Sequence, residues 1–377
     1  MICNLIKLNY FIKNSLLSMF NNVFFKKLKI ENVKKILIFR VGELGDNICA
    51  IPAINTIREN FPDSKIEMLN LIGKKNAISF ESLLKVGIVD DYIDYTNISK
   101  KDLLKLIRCR NFDLIIQLPQ NMATFPQQLR DMLFFKLCSI PYGFGWKINS
   151  DLFLRKYQDE CININSENEV DRLITNLVDN GLKKYDKKYP FNIKKIDVDA
   201  VQNKLVINEI TDKNKNISLV IGAKIYKKEW SIDNYKVISN HFTSLGYNIL
   251  LIGGIEDVQK AEYLLASCKG SIFNFCGDLT PIQSILLLKN SRLTLTNDTG
   301  PMHMSASAQT PVVALFSSWS YDRKWYPDNP NSIVIRKEVE CSICYDRSCS
   351  NNICMKNIST NEVVKVMEKL LKEQDGN

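Results

Sequence analysis

The stretch Leu293 to Trp319, LTLTNDTGPMHMSASAQTPVVALFSSW, constrains the fold of this chain more than any other. A β-branched run, Leu293-Thr294-Leu295-Thr296, stops at the turn-forming Asn297-Asp298-Thr299-Gly300-Pro301, and the small residues Ser305-Ala306-Ser307-Ala308 then suit a helix packed closely on a sheet. Pro311 ends that helix, and Val312 to Phe316 reads as the next buried strand. Strand, helix and strand in that order predict a parallel βαβ unit. The polar turn falls where a helix N-terminus offers unpaired N–H groups and partial positive charge, a seat for phosphate or ribose. A second local reading stands beside it, in which Asp298 and Thr299 only cap a helix. His303, one of two histidines, lies within one helical turn of Thr299 and Gly300, so its ring can share the pocket at the helix start.

At 377 residues the chain is too long for one simple core and suits two domains of about 150 residues each. A hydrophobic fraction of 45% with 24% charged residues belongs to a globular protein and excludes disorder over most of the length. Lys and Arg exceed Asp and Glu by 50 to 41, which favours anionic partners, and no motif for nucleic acid accompanies the excess. Of the 11 cysteines four cluster near the C-terminus and the others are scattered. That is not the pattern of a stapled secreted domain, so a reducing, cytoplasmic setting is expected. No run of 18 apolar residues occurs.

The first 30 residues are rich in Leu, Ile and Phe but interrupted by Lys7, Lys13, Lys26, Lys27 and Lys29. They read as an amphipathic segment that either lies on an anionic membrane surface or docks on the protein itself. Lys35 to Arg40 is the first strand, and Gly42 and Gly45 follow it before a helix predicted from near Ile48. A glycine-rich turn at the carboxyl end of a first parallel strand is where ligands collect in doubly wound sheets. Asp46 is then either a reactive carboxylate or a cap for that helix. Further strands are expected at Lys65 to Leu69, Asp90 to Tyr95 and Phe112 to Leu118, with Pro141 to Trp146 as an aromatic, glycine-containing loop. The stretch from Asp159 to Lys215 is Asn- and Lys-rich, with one helix near Glu169 to Leu182 and an interdomain linker late in it. A second alternation opens at Ile217 to Ile221, and its basic loop, Gly222 to Trp230, is well placed to neutralise a diphosphate. Cys341, Cys344, Cys349 and Cys354 have spacings compatible with structural zinc, set against short irregular loops and no nearby histidine; the expectation is no metal.

Two phrases resemble glycosyltransferase family 9, whose best-known members are the lipopolysaccharide heptosyltransferases. They are Arg40-Val41-Gly42-Glu43-Leu44-Gly45-Asp46 through Pro52-Ala53, and Asp298-Thr299-Gly300-Pro301-Met302-His303-Met304-Ser305-Ala306. The resemblance implies two facing doubly wound, Rossmann-like domains of GT-B type. Behind the amphipathic extension, read from its own residues and taken over 1–33, it implies an acceptor-side domain over 34–200, a nucleotide-sugar domain over 201–358, and a terminal helix and tail over 359–377. A membrane surface under that extension would then be the cytoplasmic face of the inner membrane. It further implies an inverting transferase without metal or cofactor, taking a nucleotide-diphosphate sugar, most often ADP-heptose, to a lipid-linked or core oligosaccharide. Asp46 would be the general base and Lys228, in its Lys-x-Trp phrase, would stabilise the leaving group. Lys224, Glu256, Asp298, Thr299, Gly300 and His303 would hold the nucleotide sugar, and Gly42 and Gly45 would shape the acceptor loop. Ala223 and Lys224 stand where many members carry Ser or Thr, so a hydroxyl contact to phosphate is lost or replaced by charge. A nucleotide-sugar epimerase and a non-catalytic nucleotide-sugar sensor are the competing readings.

Overall fold

The structure, a computed structural model, describes residues 2–70, 79–149, 167–346 and 349–375. The start of the polar stretch expected from Asp159 lies outside the described residues. The chain divides into two compact units, residues 1–192 and 193–377.

In the first unit five parallel strands, β1 (Lys35–Phe39), β2 (Lys65–Asn70), β3 (Asp91–Asp94), β4 (Leu114–Gln117) and β5 (Tyr142–Phe144), run in the order β3-β2-β1-β4-β5. Ile36, Leu37 and Ile38 are fully buried, as a strand covered on both faces requires. The helices are α1 (Ile2–Phe24), α2 (Leu44–Asn60), α3 (Phe80–Leu83), α4 (Lys100–Arg110), α5 (Phe125–Leu137) and α6 (Glu169–Asp179). Their ends follow local chemistry: the Ser99 hydroxyl accepts from Asp102 N–H at the start of α4, and Asn111 closes α4 in the left-handed region with φ 52°. α2 is buried from Asn47 to Ile57 and packs against α6.

The second unit has six parallel strands, β6 (Asn216–Val220), β7 (Asn248–Ile252), β8 (Ile272–Asn274), β9 (Leu293–Asn297), β10 (Val312–Phe316) and β11 (Ser332–Arg336), ordered β11-β10-β9-β6-β7-β8. Its helices are α7 (Lys195–Ile207), α8 (Ile232–Ser244), α9 (Val258–Ser267), α10 (Pro281–Lys289), α11 (Gly300–Ser307), α12 (Ile353–Lys356) and α13 (Thr360–Asp375). Val363, Met367, Leu370 and Leu371 of α13 close the core around Trp230, Tyr235 and Phe242. Within each sheet the first strand is central and the strand order reverses beside it, between β1 and β4 and between β6 and β9. Both units are therefore doubly wound, and each has one switch point at which loops diverge and a ligand can enter.

Several features differ from the sequence expectations. Residues 142–144 are a short edge strand rather than loop, because Gly143 lies against Phe25 and leaves no room for a side chain. A domain boundary at 200/201 would cut α7, whose Val201 and Leu205 are buried in the second unit; the division falls between Asn192 and Ile193. α9 and β11 also stand where no element was expected, the strand mostly half-buried at a sheet edge.

Candidate active site

The turn after β1 is shorter than expected. α2 begins at Leu44, not near Ile48, so Gly45 and Asp46 lie in its first turn. There the Asp46 carboxylate accepts the Glu43 N–H at 2.9 Å, the capping arrangement that local reasoning allowed. Gly42 is required by the same side chain, because a Cβ at that position would stand 2.5 Å from the Cβ of Asp46. Asp46 keeps 29% of its side-chain surface exposed, so a hydroxyl can reach it.

Behind Asp46 is a buried charge chain. The Arg40 guanidinium donates to the Pro119 carbonyl at 2.8 Å and to the Asp46 carbonyl at 3.3 Å, and stands 3.9 Å from the Asp46 carboxylate. It also faces Glu169, fully buried, at 3.3 Å. Arg172 grips both Glu169 oxygens, at 2.7 and 2.8 Å, and donates to Pro119 as well. β1 and β4 meet at the switch point, which is why Arg40 reaches the carbonyls that follow β4. Burial pushes the Asp46 carboxyl above the ordinary aspartate range; Arg40 and the Glu43 N–H oppose the shift, and the Glu169 charge adds to it. Glu169 and Arg172 escaped sequence reasoning because they are 129 and more residues from Arg40 in the chain. Their only local signal was a Glu and an Arg three apart on one helix.

In the second unit, β6 and β9 are neighbours, so the loops that follow them converge. Asn297 ties them together: its Oδ1 accepts the Trp230 N–H at 3.1 Å and its Nδ2 donates to the Gly222 carbonyl at 3.2 Å. Next to this brace the Lys228 ammonium lies 2.5 Å from the Asp298 carboxylate, with side chains only 13% and 5% exposed. The contact is ionic rather than an aligned hydrogen bond, since among the described residues Asp298 Oδ2 has no hydrogen-bond donor in good geometry. The same ammonium stands 5.3 Å above the Trp319 ring. Thr299 precedes Gly300 at the start of α11, and its buried Oγ1 has no hydrogen-bond partner among the described residues. A buried hydroxyl without a partner is costly unless a ligand completes it. His303 is buried within α11, edge-on to Trp325 with ring centroids 6.3 Å apart.

Lys224 and Glu256 are both exposed. The buried acid of that second loop is Asp257, beside Glu256. It fills the space at Gly222 and Gly253, where an added Cβ would meet its carboxylate at 1.9 and 2.6 Å. Its oxygens accept from Gly254 N–H at 3.1 Å and from Lys260 at 3.3 Å. Lys260 also meets Glu229 at 2.5 Å, and Glu229 accepts the Ala223 N–H at 3.0 Å. Asp257 thus fills the close approach that Gly222 and Gly253 permit, and through Lys260 and Glu229 it ties the basic loop to α9. Cys341, Cys344, Cys349 and Cys354 line one cavity of about 40 Å³ together with Trp319. All four are free thiols, and among the described residues no three His, Cys, Asp or Glu side chains are arranged to hold a metal. Burial, then the neighbouring thiols, pushes Cys341 upward and keeps it protonated.

Two doubly wound parallel sheets with alternating helices are the architecture of the GT-B fold. The family model described as "Glycosyltransferase family 9 (heptosyltransferase)" matches residues 101–354, and the chain belongs to that family. It is a glycosyltransferase. Lipooligosaccharide heptosyltransferase 2 of Campylobacter jejuni is 23% identical over 354 residues, spanning 90% of this chain and 98% of that protein. A family 9 glycosyl transferase from Veillonella parvula has the same fold, with a TM-score of 0.72, 21% identity and coverage of 93% and 99%. The Escherichia coli ADP-heptose lipopolysaccharide heptosyltransferase II follows, with a TM-score of 0.65, 18% identity and coverage of 90% and 99%.

Proposed function

We propose that this chain transfers heptose from ADP-heptose to a lipopolysaccharide core or related glycan in the cytoplasm, inverting the anomeric carbon without a metal ion. The donor follows the name of the E. coli relative, which is an ADP-heptose enzyme. Asp46 takes the proton of the acceptor hydroxyl. The hydroxyl oxygen bonds to the anomeric carbon while the bond from that carbon to the diphosphate oxygen breaks, and a single displacement of this kind inverts the centre. Lys228 and the N-terminus of α11 then hold the negative charge of the departing nucleoside diphosphate, the task a metal performs in other transferases.

The observation that carries the reading is Lys228, a nearly buried cation at the second switch point, paired with Asp298 immediately before the buried Thr299 hydroxyl. Its partner Asp298 holds the ammonium in place until a diphosphate takes over the counter-charge. Asp298 then turns to the sugar or ribose, because it cannot face phosphate without repulsion. Family membership favours transfer over epimerisation or passive sensing. A panel of ADP-, UDP- and GDP-sugars in thermal shift tests the donor: a ligand present at 100 times its Kd should add about 2.7 kcal/mol of stability, and ADP-heptose should lead. A larger shift with a UDP- or GDP-sugar would remove ADP-heptose, and product with retained anomeric configuration by NMR would remove the single displacement.

A further inference from the structure

Helix α1 has two apolar faces. Tyr10, Asn14, Leu17, Asn21 and Phe24, spaced three and four apart, turn inward. Leu17 is fully buried, and Asn14 exchanges two hydrogen bonds with the Ile148 backbone at 3.0 and 3.3 Å. Phe25 beyond the helix stacks on Trp146, and the Lys26 N–H donates to Pro141 at 2.9 Å. The docked arrangement weighed from the sequence is therefore present on this face. The opposite face carries Leu8, Ile12, Met19 and Val23 with Phe11 at its edge, and all of them are exposed, Phe11 by 67% and Val23 by 71%. The adjoining helix α5 adds exposed Leu133 and Leu137. A helix apolar on both faces with only one of them covered is set for a second apolar surface.

We propose that the outer face of α1 docks on an anionic lipid surface. Charge selects this occupant. Residues 1–30 contain five lysines and no acidic residue, and Lys26, Lys27 and Lys29 are all exposed where the helix ends. A second copy of the chain would bring a matching set of exposed Lys26, Lys27 and Lys29 side chains to the contact, whereas acidic head groups neutralise them. No helix among the described residues is long and apolar enough to cross a membrane. α1 lies along the surface instead, its inner stripe held by the protein and its outer stripe in the head-group boundary. This inference stands apart from the roles of Asp46 and Lys228.

The test is co-sedimentation of the full chain with vesicles of phosphatidylglycerol and phosphatidylcholine in equal parts, and with phosphatidylcholine alone. The protein should pellet with the acidic vesicles at about 0.1 M salt, and the bound fraction should fall severalfold at about 0.5 M salt, where screening shortens to a few ångströms. One variant carries Phe11→Glu with Val23→Glu; another carries Lys26→Glu, Lys27→Glu and Lys29→Glu. Each should lower the vesicle partition coefficient at least about tenfold while the melting temperature holds, since these side chains are exposed. Each variant tests the surface independently of the other. Absence of pelleting with acidic vesicles, equal pelleting with neutral ones, or unchanged partitioning of both variants would overturn the proposal. So would a dimer in sedimentation velocity that Phe11→Glu with Val23→Glu dissolves while wild-type protein ignores vesicles.

Discussion

Lys228→Ala separates two roles that the ion pair with Asp298 combines. Removing the lysine leaves a carboxylate only 5% exposed without its counter-charge. Breaking a fully buried pair costs about 3–5 kcal/mol, and the residual exposure of both groups places this case nearer about 2–4 kcal/mol of folding stability. Adding Asp298→Asn removes the stranded charge, so the double variant should return to within about 1.5 kcal/mol of wild type. Affinity for ADP should not return with it. Both variants lack the charge-assisted contact to phosphate, worth about 1.5–3 kcal/mol, and should bind ADP about tenfold to a hundredfold more weakly. Asp298→Asn alone frees the ammonium and should bind ADP more tightly than wild type. Urea unfolding gives the stabilities, and calorimetric titration with ADP and with adenosine gives the affinities. Recovery of ADP affinity in the double variant, or equal losses for adenosine and ADP, would refute the placement of Lys228 at the diphosphate.

The buried chain behind Asp46 predicts a pH effect. Glu169→Gln removes a charge that raises the Asp46 pKa and frees Arg40 to lower it, so the acid limb of kcat/KM should move to lower pH. An unmoved limb would show that Asp46 does not set it. Because the folded pKa of Asp46 is raised, its stabilising contribution is complete below its unfolded value of 3.8 and is lost as pH rises through the folded value. At neutral pH, Asp46→Asn should therefore match or exceed wild type in thermal unfolding while still accepting the Glu43 N–H; a clear loss of stability would contradict the sign. Gly222→Ala drives a Cβ to 1.9 Å from the Asp257 carboxylate and should cost about 1–3 kcal/mol in urea unfolding, with weaker ADP binding as the Lys228 loop shifts. Unchanged stability would show that Asp257 is not packed there.

The sheets were legible in the sequence because buried parallel strands are written as continuous apolar runs, and Val312 to Phe316 coincides with β10. The missed edge strands are written less plainly: Tyr142-Gly143-Phe144 has a glycine at its centre, and β11 has an apolar run of only three, Ile333-Val334-Ile335, which is mostly half-buried. Asp298, Thr299 and Lys228 could be singled out because each follows a strand at a switch point, and the Lys228–Asp298 contact depends on the long-range pairing of β6 with β9, which sets Ser218 opposite Thr294. Gly42 and Gly45 were read as a ligand approach, yet Gly42 makes room for the Asp46 side chain, as Gly222 and Gly253 do for Asp257. A local pattern reveals that backbone must be approached closely, not which group approaches it. The environment of Asp46 was illegible for a related reason, since Glu169 and Arg172 come from a helix far along the chain. α1 was ambiguous because both of its faces are apolar, and only tertiary packing distinguishes them.

Turnover of Asp46→Asn with ADP-heptose and a core acceptor tests the central claim most directly. Asparagine preserves the shape of the side chain and the hydrogen bond from Glu43 but has no basic carboxylate to take the acceptor proton. Loss of a general base predicts a kcat at least about 100-fold below wild type, with ADP affinity unchanged because the proposed nucleotide site belongs to the other unit. A kcat within a few-fold of wild type would show that Asp46 caps α2 and does no more.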